Sequence, residues 1–336
     1  MCASLTNSYT EHKNWRRGAN YLGVRYPIIS GAMTWVSECH LVAAVSNAGG
    51  FGMLAAGAMN ASQLREEVKK TRALTEKPFG VNVILAHPEI ESLLSVCLEE
   101  SAGGGLTHMA FAGGMPKSSM LKRVRAHVHA LAFAPSLAIG RKLLRSGADA
   151  LILEGMEAGG HIGSVSTTVL AQEILPFLDE EVVFVAGGIG HGSMIARYID
   201  MGASGVQLGT CFVCAEESIA HEKFKQAFIS ANARDAQPSP QLDAAFPVMP
   251  VRALANKATK DFLEAQKNAI HAYEQGDIDK MEAILRIERF WAGALQRAVI
   301  EGDVDYGSLM AGQSVGMVKG IESTQAIIDR LVGEMG

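Results

Sequence analysis

The sequence predicts an α/β fold: a (β/α)8 barrel with a C-terminal helical lid. Three observations predict it. Eight short apolar segments recur at intervals of roughly 20 to 32 residues, each followed by helical spacing. Glycines and amide and hydroxyl side chains gather at the C-terminal ends of those segments. That is the face on which such barrels build their sites. Past about residue 220 the alternation stops and longer helical patterns follow.

In chain order, Tyr26–Ser30 reads as the first strand and runs into Gly31-Ala32-Met33-Thr34. Glu38–Asn47 has helical spacing and ends at Gly49-Gly50, a stop signal. Phe51–Ala55 is the second strand, Ala61–Thr75 an amphipathic helix and Phe79–Leu85 the third strand. Pro88–Glu99 reads as helix, Thr107–Phe111 as the fourth strand, Ser118–Ala126 as helix and Val128–Ala134 as the fifth strand. Leu137–Ser146 is helical and leads into the sixth strand, Ala150–Leu153. Thr167–Leu178 is helical, Val182–Ala186 is the seventh strand, Ser193–Met201 is helical and Gly205–Leu208 is the eighth strand. Eight units ending near residue 230 match the ~250 residues of a TIM barrel. The rival, a doubly wound open sheet, would want a dinucleotide fingerprint in the first strand–helix turn, and Ser30-Gly-Ala-Met is not one.

Residues 221–250 are polar and carry four prolines; Ala253–Gln275, Lys280–Glu301 and Glu322–Met335 then have helical spacing. The expected division is a barrel over 18–220, a helical lid or substrate subdomain over 221–318, and a C-terminal helix, 319–336, packing back on the barrel.

Composition narrows the function. Hydrophobic residues make up 48% and charged residues 19% of the 336, enough for a sizeable core. A net charge of −5 argues against general nucleic-acid binding. Met1–Arg17 is polar and shows no secretory signal, and no apolar run reaches the ~18 to 20 residues a membrane span needs. The five cysteines are odd in number and scattered, which fits a reduced cytoplasm. Cys211 and Cys214 read as buried thiols, because a zinc or iron–sulfur site needs more ligands than one pair. Asp303 and Asp305 lack oxygen-rich companions, so no metal site is expected.

The chain is organised around the loop Glu154-Gly-Met-Glu-Ala-Gly-Gly-His-Ile-Gly163 after the sixth strand. Its glycines let backbone approach a flat or phosphorylated ligand, and His161 supplies a group that moves protons near neutral pH. Gly187-Gly188 and Gly209-Thr210, after the seventh and eighth strands, stand where barrels cradle phosphate with backbone N–H groups. The rival reading of each is an ordinary tight turn.

Gly31–Val36, Ala44–Gly52, Pro78–Asn82, Glu154–Gly163, Ala186–Ile189 and Gln207–Thr210 together resemble the nitronate monooxygenase (2-nitropropane dioxygenase-like) superfamily of FMN-dependent TIM-barrel enzymes, over roughly residues 20 to 320. Met33-Thr-Trp-Val36, the His161-Ile162-Gly163 ending, Val251-Arg-Ala253 and Gly302–Gln313 look more like its enoyl-acyl carrier protein reductase II branch. Ala32 and Thr34 depart from that branch, where glycine and alanine are commoner.

The resemblance implies that Ala32, Met33 and Thr34 border the isoalloxazine and that Asn82 hydrogen-bonds the ring or ribityl chain. It implies that Glu154, Gly159 and Gly160 also contact FMN, that Gly187, Gly188, Gln207, Leu208, Gly209 and Thr210 hold its phosphate end, and that His161 is catalytic. It further implies NADH or NADPH as reductant and an enoyl thioester, small or carrier-linked, as hydride acceptor. In the monooxygenase alternative the same histidine is a base beside an alkyl nitronate and oxygen is the oxidant. A homodimer is compatible with either. Lys117, Lys122, Arg123, Arg125, Arg141, Lys142 and Arg145 form a basic patch that reads as a solvated helix face or as a landing surface for an acidic carrier protein. His127 and His129 read as structural, and His108, inside the fourth strand, as a satisfied core histidine.

Overall fold

Eight parallel strands follow one another around a ring in the computed structural model, which describes residues 8–247 and 250–336. They are β1 (Ile28–Ser30), β2 (Gly52–Ala55), β3 (Phe79–Ile84), β4 (Leu106–Ala112), β5 (His129–Phe133), β6 (Ala150–Glu154), β8 (Val182–Ala186) and β9 (Gly205–Leu208). The order is β1-β9-β8-β6-β5-β4-β3-β2, and Ile29 bridges Phe51 to bring the two ends together. Phe51 N donates to Ile28 O and Ser30 N to Phe51 O, each at 2.9 Å. This is the expected TIM barrel.

The helices on its outside are α2 (Cys39–Asn47), α3 (Ala61–Leu74), α4 (Ile90–Ser101), α5 (Ser118–Arg125), α6 (Leu137–Ser146), α7 (Thr167–Ile174) and α8 (Gly192–Asp200). Strand residues alternate between two cores, as a two-residue period requires. Phe79, Val81 and Val83 of β3 face the helices, whereas Ile152 of β6 and Phe184 of β8 fill the barrel interior with Ile29, Met53 and Leu131.

Three features differ from the sequence reading. The polar start contains a helix, α1 (Lys13–Leu22), whose Tyr21 and Leu22 plug the lower end of the barrel beside Phe51 and Phe184. A Cβ on Gly18 would lie 1.8 Å from Ser204 O, so only glycine lets α1 seat this closely. His108 is walled in beneath it, with Nε2 3.1 Å from Tyr21 O and Nδ1 2.7 Å from Thr107 Oγ1. Burial pushes its pKa down to about 3, so it is the satisfied core histidine expected.

The eighth barrel helix is also displaced in sequence. β9 is followed only by the single turn α9 (Thr210–Val213) and then α10 (Glu222–Ser230). The slot between α8 and α2 is filled by α14 (Thr324–Gly333), where Gly192 N donates to Glu334 Oε2 at 2.8 Å and Ile328 lies beside Gly50. The intervening chain is an excursion. It contributes β10 (Ala236–Pro238) and β11 (Val251–Leu254), which form a three-stranded antiparallel sheet with the two-residue β7 (Gly160–His161).

Residues 253–275 and 280–301 are not the continuous helices their spacing suggests. Ala253 belongs to β11, and α11 (Lys257–Glu274) starts at an Asn256 cap. α12 (Lys280–Arg289) ends before Gly293, whose φ of 71° breaks the pattern ahead of the short α13 (Ala294–Gln296). Helices α11 and α12 share a small core of Phe246, Phe262, Ala269, Ala283 and Ile287. No helix among the described residues is long and apolar enough to cross a membrane.

Candidate active site

Interior-facing positions climb each strand in steps of two, and the last of them forms the floor of the upper mouth. On β6 the series Ala150, Ile152 ends at Glu154; on β8 it ends at Ala186 and on β9 at Gln207, and on β3 Asn82 stands one interior step before the end at Ile84. Glu154, Ala186, Gln207 and Ile29 are successive cross-strand neighbours. Carboxyl and amide groups thus sit where the interior below is apolar.

These groups lack protein partners. Asn82 and Gln207 are buried, and neither Asn82 Oδ1 nor Gln207 Oε1 has a hydrogen-bond partner among the described residues. Each such orphan costs roughly 1–3 kcal/mol. Desolvation alone pushes the Glu154 carboxyl up to about 7. Three unmet polar groups on one floor mark a ligand site rather than a packing defect.

The β1–α2 loop forms one wall. Met33 N donates to Ser37 Oγ at 2.9 Å, Ser37 Oγ donates to Gly31 O at 3.0 Å, and Ser37 N donates to Met33 O at 2.8 Å. These bonds fix Ala32, Met33 and Thr34, and they hold Trp35 at φ 69°, the left-handed region where side chains are strained. Met33 reaches across to β9, since a Cβ on Gly209 would stand 3.3 Å from its sulfur.

At the glycines of the central loop and of the β8 end the backbone packs against neighbouring protein too closely for a side chain. A Cβ on Gly159 would lie 2.6 Å from Gly312 N, and one on Gly188 2.8 Å from Glu157 Cβ. Gly160, Gly187 and Gly188 all have positive φ. The loop's two carboxylates divide their work. Glu154 faces the mouth, whereas Glu157 Oε2 accepts from Thr167 N and Thr167 Oγ1, both at 2.8 Å, and so holds the start of α7. Thr210 Oγ1 accepts from Gly312 N at 3.1 Å, keeping its own proton to donate.

His161 stands on β7 opposite Val251 of β11. The residue is exposed, yet the surrounding protein desolvates the ring enough to lower its pKa from 6.5. The imidazole is therefore neutral at pH 7, with one N–H to donate and one nitrogen to accept.

The structure brings Asn82, Glu154 and Gln207 to one floor, with the Ala32–Thr34 loop, the Gly159–His161 turn and the Gly187–Gly188 and Gly209–Thr210 turns around it. Arg252 and the segment 310–313, which the sequence marked only as branch motifs without a role in the site, also join it. Arg252 is 2% exposed, with Nε donating to Met156 O at 3.0 Å and Nη1 to Ala236 O at 2.6 Å, so it ties the excursion to the central loop. Gln313 N donates to Glu157 O at 2.9 Å, and Met310 Sδ lies 3.6 Å from where a Cβ on Gly160 would be. The small-residue pair Ala311-Gly312 was the available signal, because close backbone approach demands small residues.

The remaining candidates do not join the site. Cys211 and Cys214 are free thiols that burial pushes up to about 12; Cys2, like the rest of Met1–Asn7, lies outside the described residues. Asp305 pairs with Lys257 and Asp303 accepts from Tyr306 N. In the basic patch, Arg123 pairs with Glu91 and Arg125 with Asp149.

Comparison with known proteins gives this geometry a family. Residues 17–334 match the family model described as nitronate monooxygenase. A carboxyl-CoA dehydrogenase of Rhodococcus jostii, whose substrate is a hydroxy-methyl-oxo-octahydroindene carboxyl-CoA, is 28% identical over 93% of each chain. The nitronate monooxygenase of Paraburkholderia phytofirmans is 32% identical over 63% of this chain and 70% of its own. Among solved structures, FabK from Thermotoga maritima superposes with a TM-score of 0.84 at 35% identity over 95% of both chains. A nitroalkane oxidase of Streptomyces ansochromogenes gives 0.74 at 26%, over 94% of this chain and 97% of its own.

Proposed function

We propose that this chain, which belongs to the nitronate monooxygenase family, is an FMN-dependent enoyl-acyl carrier protein reductase that reduces trans-2-enoyl thioesters with NADH or NADPH. The observation that carries the reading is the degree of likeness: FabK, an enoyl-acyl carrier protein reductase II, superposes with a TM-score of 0.84 at 35% identity, against 0.74 at 26% for the nitroalkane oxidase.

The residues on the floor fit a flavin. Asn82 Oδ1 and Gln207 Oε1 are acceptors awaiting a donor, such as the ring imide N–H. Glu154, its carboxyl at about 7, can donate or accept at the ring edge. The Gly159–Gly160 and Gly187–Gly188 turns border the floor where the ribityl chain and phosphate would lie, with the Thr210 hydroxyl as a donor at the phosphate end. FMN bound there supplies hydride transfer.

The protein's own contribution is proton handling and enclosure. Addition of hydride at the β-carbon of an enoyl thioester builds negative charge on the carbonyl oxygen, which needs a donor. Neutral His161 donates its N–H in a hydrogen bond there, and the enolate then takes a proton from solvent at the α-carbon. Residues 221–318 act as a lid over the mouth, anchored at His161 and Gly160 by β11. Excluding water there strengthens the histidine's hydrogen bond. The basic patch on α5 and α6 is a candidate landing surface for a carrier protein.

The test is substrate-dependent turnover of the FMN-loaded protein. NADH or NADPH oxidation that depends on a crotonyl thioester is expected. Oxygen uptake driven by an alkyl nitronate, with no thioester-dependent oxidation, would overturn the reading and install the monooxygenase.

A further inference from the structure

Away from the barrel mouth, a cluster of metal-ligating side chains stands at the start of α2. Cys39 Sγ lies 3.2 Å from Glu38 Oε2 and 3.5 Å from His40 Nδ1, and the last two atoms are 2.8 Å apart. These separations describe a triangle with its corners about 1.9 Å from its centre. A point about 1 Å above it is therefore about 2.1 Å from all three atoms, within the range of zinc bonds to nitrogen and oxygen and slightly short of that to sulfur.

A second element faces the same place. Glu67, on α3, accepts from Cys39 N at 3.0 Å through Oε2, while its Oε1 pairs with Lys70. Both of its oxygens are thus engaged, and the bond from Cys39 N ties α3 to the start of α2. Helix capping alone does not explain the cluster: Glu38 satisfies the first turn by itself, accepting from His40 N and Leu41 N. Neither the thiol nor the imidazole is needed for that.

We propose that Glu38, Cys39 and His40, with water as the fourth ligand, bind one zinc-type divalent cation. One sulfur, one nitrogen and carboxylate oxygens suit a borderline-soft ion and not calcium or magnesium. Access is open on the His40 side, whose side chain is 62% exposed, whereas Cys39 is buried. The ion binds two residues past Ser37, the residue that anchors the Met33–Trp35 loop, so it steadies that wall of the mouth.

The experiment titrates the FMN-loaded protein with Zn2+ by calorimetry and, separately, with Co2+ in difference absorption against the same holoprotein. One ion per chain and a thiolate-to-cobalt charge-transfer band are expected. His40→Ala, which removes an exposed ring, and Cys39→Ser should each weaken zinc at least about tenfold and abolish the band. Zinc should raise the melting temperature of the wild type and not of His40→Ala. FMN content and melting of the metal-free variants report folding. Absence of stoichiometric binding, or binding that survives both substitutions, overturns the proposal.

Discussion

Asn82→Leu separates a ligand-binding floor from an ordinary core. Asn82 is buried, and its Oδ1 has no partner among the described residues, so in the cofactor-free protein the amide is a liability of roughly 1–3 kcal/mol. Leucine has nearly the same shape and no polar atom to orphan. The stripped variant should therefore be as stable as the stripped wild type or more stable, by up to about 2 kcal/mol. At roughly 1–2 °C per kcal/mol for a chain of this length, that is a rise of a few degrees at most. FMN affinity should move the other way. Losing one hydrogen bond to the ring costs about 1.5–3 kcal/mol, a 10- to 100-fold weaker dissociation constant. Urea unfolding of the apoprotein and quenching of FMN fluorescence read the two effects separately. An apoprotein destabilised by more than about 2 kcal/mol, with FMN affinity unchanged, would make Asn82 a structural residue and refute the reasoning.

Three further outcomes follow from the same geometry. Gly159→Ala would put a methyl 2.6 Å from Gly312 N, against backbone that cannot rotate away; the variant should lose FMN and melt lower, by more than about 2 kcal/mol. The Glu154 carboxyl, raised from 4.5 to about 7, holds its proton in the folded state where the unfolded chain has released it. Apoprotein stability should thus fall as pH rises from about 4.5 through 7 and level off above, by at most about 3 kcal/mol and less where water reaches the mouth. Urea midpoints at pH 5 and 8 should show this slope in the wild type and its absence in Glu154→Gln. His161→Ala should reduce thioester-dependent turnover about 10²- to 10⁴-fold while NADH still bleaches the flavin at the wild-type rate; loss of both together would move the histidine's role to cofactor binding.

How much of this was legible in the sequence depends on how local each signal is. The eight barrel strands were readable because each is a continuous apolar run closed by glycine or a polar residue. Asn82, Glu154 and Gln207 were readable as polar residues ending such runs. β7 was not readable: two residues carry no periodicity, and their pairing partner Val251–Arg252 lies 90 residues on, inside a stretch whose spacing mimics the helix that follows. α1 was hidden because its buried face is mostly Asn14, Trp15 and Gly18, which do not look apolar in a hydropathy pattern. The C-terminal helix was readable from its amphipathic spacing, but not that it would fill the eighth barrel slot, which waits more than a hundred residues after β9 for α14. The loop holding Trp35 at φ 69° leaves no mark in the sequence, since the strain is imposed by Ser37 and the neighbouring walls.

The central claim is that electrons pass from a reduced nicotinamide through bound FMN to an enoyl thioester, and anaerobic stopped-flow tests it most directly. The FMN-loaded protein is mixed with NADH and then with a crotonyl thioester. Bleaching within a turnover time, followed by reoxidation on thioester addition, is the predicted result. A flavin that NADH leaves oxidised and an alkyl nitronate reduces would contradict it.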